Sequence, residues 1–357
     1  MTVLLPPPRP TEGPSAGPGL PHTLPTPRGP ISEQLLEHLV RPVHELSPLP
    51  LTDADPLFDH DSALALYLCY ELHYRGIEGV DERREWDPEV LRFRAEIERR
   101  FEDALREQVV VATSSQPIDV QLRSLITADE GPSASSLLGR EGSIEMYREF
   151  LMHRSAYQLK EADPHSFAIP RLQGRAKVAL MEIQGDEYGA GDPAWMHSAL
   201  FADTMRALDL DPTENAYVDR LPGVTLATVN LVSLFGLHRR LRGALVGHLA
   251  MFEMASSIPN RRYADGLRRL GYDHDEKATR FFDEHVEADA VHESIAANDL
   301  AGSLVEDDPR MESEVLFGAA SLLWLEGRWA THVLDSWREG GSSLLDPAAG
   351  SQVAHAG

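Results

Sequence analysis

The sequence predicts an all-α protein, and three observations carry that expectation. Apolar residues recur at the three-to-four-residue spacing of helices through nearly every segment between positions 31 and 340. Prolines 164, 170, 193, 222, 259 and 309 fall at the starts or breaks of those segments, where a missing amide proton costs little. No stretch alternates apolar and polar residues between hairpin turns, so strands are not expected.

Taken in order, residues 1–30 are dominated by Pro, Gly, Thr and Ser and read as a disordered tail, because they cannot bury enough apolar surface to offset the entropy of ordering. Residues 31–130 form an N-terminal helical region, with helices expected at 62–76, 88–108 and 116–128. A Gly/Ser/Pro stretch at 131–136 separates it from the larger bundle at 137–340. There, helices are expected at 142–162, 170–189, 193–208, 222–236, 238–257, 260–271, 275–299 and 309–338. Gly189 and Gly191 suit the end of one of these helices, and Asp192 before Pro193 suits the N-cap of the next. Residues 341–357, small and Gly/Ser-rich at their start, read as a second tail.

Composition narrows the function. With 33 Lys+Arg against 57 Asp+Glu the formal charge is −24, which argues against a nucleic-acid surface and an anionic membrane, since both need clustered cations. A small-molecule partner is expected. Cys69 is the one cysteine, so an internal disulfide and any cysteine-built metal cage are excluded, as suits a reducing compartment. No apolar run has the length of a membrane span, and the Pro-rich start lacks the basic and apolar segments of a signal peptide. The expected location is the cytoplasm.

The most informative segment is Phe281-Phe282-Asp283-Glu284-His285-Val286-Glu287-Ala288-Asp289-Ala290-Val291-His292. At roughly 100° per residue, His285, Asp289 and His292 share one face of a helix. Phe281, Phe282, Ala288, Ile295 and Ala296 flank that stripe, whereas Asp283, Glu287 and Ser294 lie opposite, so the ligand-type residues are on the face that should be buried. Burying a carboxylate and two imidazoles is costly unless they are paired, and one bound cation satisfies all three. The plainer alternative is an i,i+4 hydrogen-bonded pair of His285 and Asp289, with His292 satisfied by a carbonyl.

Two further clusters add ligand-type residues. Glu187 closes one expected helix and His197 opens the next, with Gly189 and Gly191 between them, so a Gly-rich bend can aim both at one point. Periodicity does not choose Glu187 over Glu182 or Asp186, and all three also read as a solvated acidic face. Glu161 ends a helix, where the dipole disfavours a carboxylate and a nearby cation would offset it.

In order and spacing these residues resemble the haem-oxygenase-like di-iron oxidases, often described as iron-containing redox enzymes. In that family a Glu on one core helix, a Glu and a His flanking the next helix junction, and a His-x3-Asp-x2-His motif on a later helix supply the ligands. The matching positions are Glu161, Glu187, His197, His285, Asp289 and His292. The resemblance spans residues 147–337 and includes the runs Asp186-Glu187-Tyr188-Gly189 and Ser257-Ile258-Pro259-Asn260-Arg261-Arg262-Tyr263. It implies a haem-oxygenase-like helical bundle with an N-terminal helical extension, whose helices at 56–105 would serve dimerisation. It also implies two iron ions, O2 as co-substrate, and oxidation of a small molecule by N-oxygenation, desaturation or carbon–carbon cleavage, with amines, amino acids and fatty acids as substrates. The electrons would come from substrate or an external reductant. The ferritin-like plan, with its paired Glu-x-x-His motifs, is not found.

Other readings are a metal-free enzyme on the same scaffold, thiaminase-like or quinone-cofactor-synthesis-like, and a non-catalytic iron-binding protein. A thiaminase-like mechanism would want a cysteine in the bundle, and Cys69 lies outside it. Glu71 and His73, two positions apart, point to divergent faces and read as structural. His248 and Glu253 sit on a very apolar helix at 244–254 and read either as hydrogen-bonding partners of the ligands or as polar groups of a pocket, with a satisfied core histidine the plainer reading. Phe252, Trp324 and Trp329 read as packing, and Arg239, Arg240, Arg242, Arg261 and Arg262 either bind a substrate carboxylate or pair with the acidic surface.

Overall fold

A computed structural model describes residues 24–50 and 53–346, with the side chains at 288–290 left out of the description. Of the expected tails at 1–30 and 341–357, residues 1–23 and 347–357 therefore lie outside the described residues. The helices are α1 (Pro30–Val40), α2 (His60–Glu71), α3 (Pro88–Gln108), α4 (Ile118–Ala128), α5 (Ala134–Glu141), α6 (Ile144–Gln158), α7 (Asp163–Ser166), α8 (Gly174–Glu187), α9 (His197–Ala207), α10 (Gly223–Leu237), α11 (Arg242–Leu267), α12 (Glu276–Ser294), α13 (Ser303–Asp307) and α14 (Glu312–Arg338). Among the described residues there is no strand, and one isolated bridge joins Tyr188 to Met196.

Sequence pattern accounts for the placement. In α3 the buried residues Val90, Phe93, Ile97, Phe101 and Leu105 recur every three or four positions, so one stripe faces the core. Almost every residue of α10 is buried, as its uniformly apolar sequence requires. Asp59, Asp87, Ser133, Ser143 and Asp275 cap α2, α3, α5, α6 and α12 by accepting a hydrogen bond from a first-turn amide.

The spine of the bundle is the crossing of α11 and α14. A Cβ at Gly247 would overlap the Val315 carbonyl oxygen, and one at Gly318 would overlap that of Ala244. Glycine at both positions lets the two backbones touch. α12 packs on α9 and α11, and α10 on α2 and α14. Residues of α2, α3, α10, α11 and α14 belong to one apolar cluster, so the N-terminal helices share their core with the bundle.

Several boundaries differ from the sequence reading. α1 and α5 form where no individual helix was expected, α1 at the start of the N-terminal helical region and α5 across the linker, because Ile31, Leu35, Leu36 and Leu39 bury one face of α1, and Ala134 and Leu138 bury one of α5. α11 runs straight through Pro259, which lacks an amide proton but sits inside a helix held by α5, α12 and α14. After α12 the rod continues as a π-helical stretch, Ile295–Gly302. Order also extends past Gly340. Leu344 is buried, Leu345 donates its amide to the Arg220 carbonyl, and Ser343 binds Glu149 and His153.

The glycine crossing makes a direct prediction. Gly318→Ala should cost roughly 2 kcal/mol or more through overpacking and lower the melting temperature by several degrees in a thermal melt. In the same helix Gly327 has nothing within 4 Å of a built Cβ. Gly327→Ala should therefore stabilise, by about 0.5–1 kcal/mol.

Candidate metal centre

Four chain segments converge on one buried spot. The first is the turn after α6, where Ala162 takes a positive φ of 74° and Glu161 points inward, only 6% exposed. Gln184 of α8 holds that turn by donating to the Ala162 carbonyl and the Ser166 hydroxyl, and Tyr188 donates to Asp163. The second is the α8–α9 bend. Gly189, Ala190 and Gly191 have φ of 71°, 49° and 96°, and a Cβ on Gly189 would press on the backbone of Trp195 and Met196. Only glycine fits position 189, and the reversal leaves Glu187 Oε2 2.9 Å from His197 Nδ1.

The third and fourth segments are α12 and α11. His285 gives its Nδ1–H to the Phe281 carbonyl at 2.7 Å, which fixes the ring and turns Nε2 toward Glu161 Oε1, 3.5 Å away. About two turns further on, His292 sits between Asp186 (Nε2 to Oδ2, 3.0 Å) and Glu253 of α11 (Nδ1 to Oε2, 3.4 Å). Glu253 is 4% exposed in the middle of an otherwise apolar helix.

Two ligand-type groups result, Glu161–His197–His285 and Glu187–Glu253–His292, each with its donor atoms within 4.8 Å of one another and every member buried. Of the residues expected from sequence, five come together here. The sixth, Asp289, has a side chain outside the described residues. Glu253 is expected from sequence only as a partner of the ligands or a polar group of a pocket, and the signal for more was a carboxylate on a stretch too apolar to leave it unpartnered.

The electrostatics are those of a site lacking its counter-charge. Burial pushes the Glu161 and Glu187 carboxyls up, although neighbouring imidazoles pull the other way. Burial, with His285 close by, drives His197 down to about 4. Burial alone would lower His292 too, but Glu253 and Asp186 outweigh it and push it up to about 9. Glu161 Oε2 is buried without a hydrogen-bond partner, and Glu187 Oε2, His197 Nδ1 and His292 Nδ1 make no well-aligned hydrogen bond, although Glu187 Oε2 and His197 Nδ1 lie 2.9 Å apart and His292 Nδ1 lies 3.4 Å from Glu253. Orphaned lone pairs of this kind are costly in a protein interior. A mixed imidazole and carboxylate donor set around them suits a first-row divalent metal, iron or manganese among them.

An apolar cavity of about 260 Å³ adjoins the centre, bounded by His285, Phe281, Phe282, Phe252, Tyr263 and Leu322. Tyr157 borders both this cavity and a cleft of about 10 Å³ shared by Glu161, Glu187, Glu253 and His165. Phe252 and His248, read from sequence as core residues, line the cavity. Glu71 is instead structural, buried against Lys160 and Asn215, and the basic cluster pairs with acids, Arg240 with Glu102 and Arg242 with Asp308.

The model of the iron-containing redox enzyme family matches residues 148–327, half of the chain, and the protein belongs to that family. It is therefore an iron-associated redox protein on an all-α, haem-oxygenase-like bundle. No curated protein matches the chain. Among the described residues, no helix is long and apolar enough to cross a membrane.

Clustered buried carboxylates strain the metal-free protein, which gives a second prediction. Glu253→Gln should raise the melting temperature of the metal-free chain while weakening its uptake of ferrous ion by tenfold or more. Thermal melts paired with metal titrations check both halves, and a variant less stable without metal would contradict the strain.

Proposed function

We propose that the protein is a non-haem di-iron oxidoreductase that uses O2 to oxidise a small organic molecule. The observation that supports this most directly is the pair of buried triads, in which Glu161 Oε2, Glu187 Oε2, His197 Nδ1 and His292 Nδ1 make no well-aligned hydrogen bond. Glu161, Glu187, His197, His285, Asp289 and His292 are the proposed ligands, and Glu253 joins them on its position beside Glu187 and His292. Iron bound there supplies one-electron redox chemistry and activation of O2.

The residues around it have separable tasks. The Phe281 carbonyl holds the proton on His285 Nδ1 and so keeps its Nε2 as the donor atom, and Asp186 orients His292 from the outside. Phe281 and Phe282, each 1% exposed, exclude water from the inner side of α12. The neighbouring cavity gives a substrate a place against His285, which supports turnover over simple iron storage. Burial pushes the Cys69 thiol up to about 12, so it is a poor nucleophile for the metal-free, thiaminase-like alternative. In this reading the partners are a small-molecule substrate and an external reductant, the setting is the cytoplasm, and α2 and α3 contribute to a homodimer.

Anaerobic titration of the metal-free protein with ferrous ion, followed by Mössbauer spectroscopy before and after O2, tests the proposal. About two irons per chain are expected, converted to the ferric state on exposure to O2. A His285→Ala, His292→Ala double variant should lose most of that capacity. Wild-type protein that takes up no iron, or a double variant that binds as well, would sink the assignment.

A further inference from the structure

Two side chains partition the metal cleft from the apolar cavity. Among the described residues, Tyr157 of α6 and Phe252 of α11 are the pair that lines both, with ring centroids 5.6 Å apart. The chain ties each of them to a proposed ligand. Phe252 directly precedes Glu253. Tyr157 precedes Glu161 across the tightened end of α6, where the amides of Lys160 and Glu161 donate to the carbonyls of Tyr157 and Gln158. Its phenol is near enough to the cluster that burial, together with the charges of Glu161, Glu187 and Glu253, holds its pKa well above the usual tyrosine value. Phe252 is apolar, so the Tyr157 hydroxyl is the one hydrogen-bonding group that this partition presents.

That hydroxyl is unused by the protein. It makes no hydrogen bond among the described residues, and Glu161 Oε2, an acceptor in the same cleft, has no partner either. Ring packing alone does not call for a phenol, since phenylalanine would fill the same space without leaving a donor unmet. The other side chains nearby are placed differently. Gln158, Asn260 and Tyr263 line the cavity but not the cleft. On the cleft side, Gln184 gives its amide to the Ala162 carbonyl and the Ser166 hydroxyl, and His165 Nε2 lies 3.1 Å from His248 Nδ1.

The chemistry at this threshold indicates what the hydroxyl is for. O2 is a small apolar molecule, and an apolar cavity admits it as it admits other apolar guests. As O2 takes electrons from ferrous ion, negative charge develops on it beside the carboxylates of Glu161, Glu187 and Glu253. A fixed neutral donor at that point stabilises the developing charge without reorganisation. An ammonium or guanidinium in its place would pair with the carboxylates and compete with the metal. A phenol avoids that competition, and in these surroundings it keeps its proton while donating.

We infer that Tyr157 is the hydrogen-bond donor to O2 at the centre, standing where the cavity opens onto the ligand cluster. The inference rests on the reading of that cluster as an iron site. Ferrous ion supplies the electrons, O2 receives them, and the phenolic proton stays on Tyr157.

Nitric oxide takes the place of O2 on ferrous ions and reports hydrogen bonds through its N–O stretch, so infrared spectra of the full ferrous-loaded chain with nitric oxide under argon test the assignment. In the wild type the band should shift between H2O and D2O, because the phenolic hydrogen exchanges. Tyr157→Phe should raise the frequency, abolish the solvent shift and release nitric oxide roughly tenfold faster, with iron stoichiometry and melting temperature unchanged. A ring-fluorinated tyrosine in place of Tyr157, a stronger donor of nearly the same shape, should lower the frequency, and it keeps the test decisive if the phenylalanine variant does not fold. A band indifferent to both replacements, or a solvent shift that survives in Tyr157→Phe, would overturn the assignment and leave the iron reading intact. Loss of iron from a folded Tyr157→Phe chain would also overturn it, by marking Tyr157 as a support for the ligands. A wild-type chain that takes up no ferrous ion would overturn both.

Discussion

The constraint on which the rest of this structure depends is the burial of three carboxylates and three imidazoles in one place with too few hydrogen bonds to satisfy them. Such a cluster opposes folding, since each desolvated charge costs several kcal/mol without a partner. The fold therefore needs features that hold it together regardless. The turn after α6 is tied to α8 by Gln184 and Tyr188, the α8–α9 bend is locked by Gly189, and α11 is fixed to α14 by backbone contact. Each lies within or beside a ligand-bearing segment, and together they set the positions that a cation would then stabilise.

The two halves of the centre are not equivalent. Glu161, His197 and His285 lie among Phe201, Phe281 and the cavity wall, with ring centroids of His197 and His285 4.4 Å apart. His292 instead reaches a carboxylate, Asp186, whose side chain is 57% exposed. One half thus adjoins the apolar cavity, and the other is in touch with solvent through an acidic neighbour. Metals at the two positions would differ in affinity and in access, since solvent exposure and outer hydrogen bonds tune both.

Helical periodicity and proline placement made the all-α class legible, and the order of Glu161, the Glu187–His197 pair and the α12 histidines made the family legible. What could not be read has specific causes. Glu253 was hidden because a lone carboxylate on an apolar helix has no spacing partner on its own element; its partners, Glu187 and His292, arrive from α8 and α12. His248, expected as a satisfied core residue, does bond through Nδ1 to a histidine 83 positions away, and its ring also lines the cavity, which its own helix does not reveal. Local chemistry at Pro259 favours a break, and tertiary packing along α11 prevails over it. α1 and α5 are short and were masked by flanking Pro, Gly and Ser.

The glycine contact between α11 and α14 divides the centre mechanically. Backbone against backbone leaves no side chain to change rotamer, so α11, and Glu253 with it, behaves as a fixed jaw. On the opposite side α12 meets its neighbours through Phe281 and Phe282, whose rings can shift, and it leads into a π-helical stretch in place of a regular continuation. If the proposed centre holds metal whose ligand distances change with oxidation state, the adjustment would fall to the histidines of α12, the jaw that closes on a stationary one.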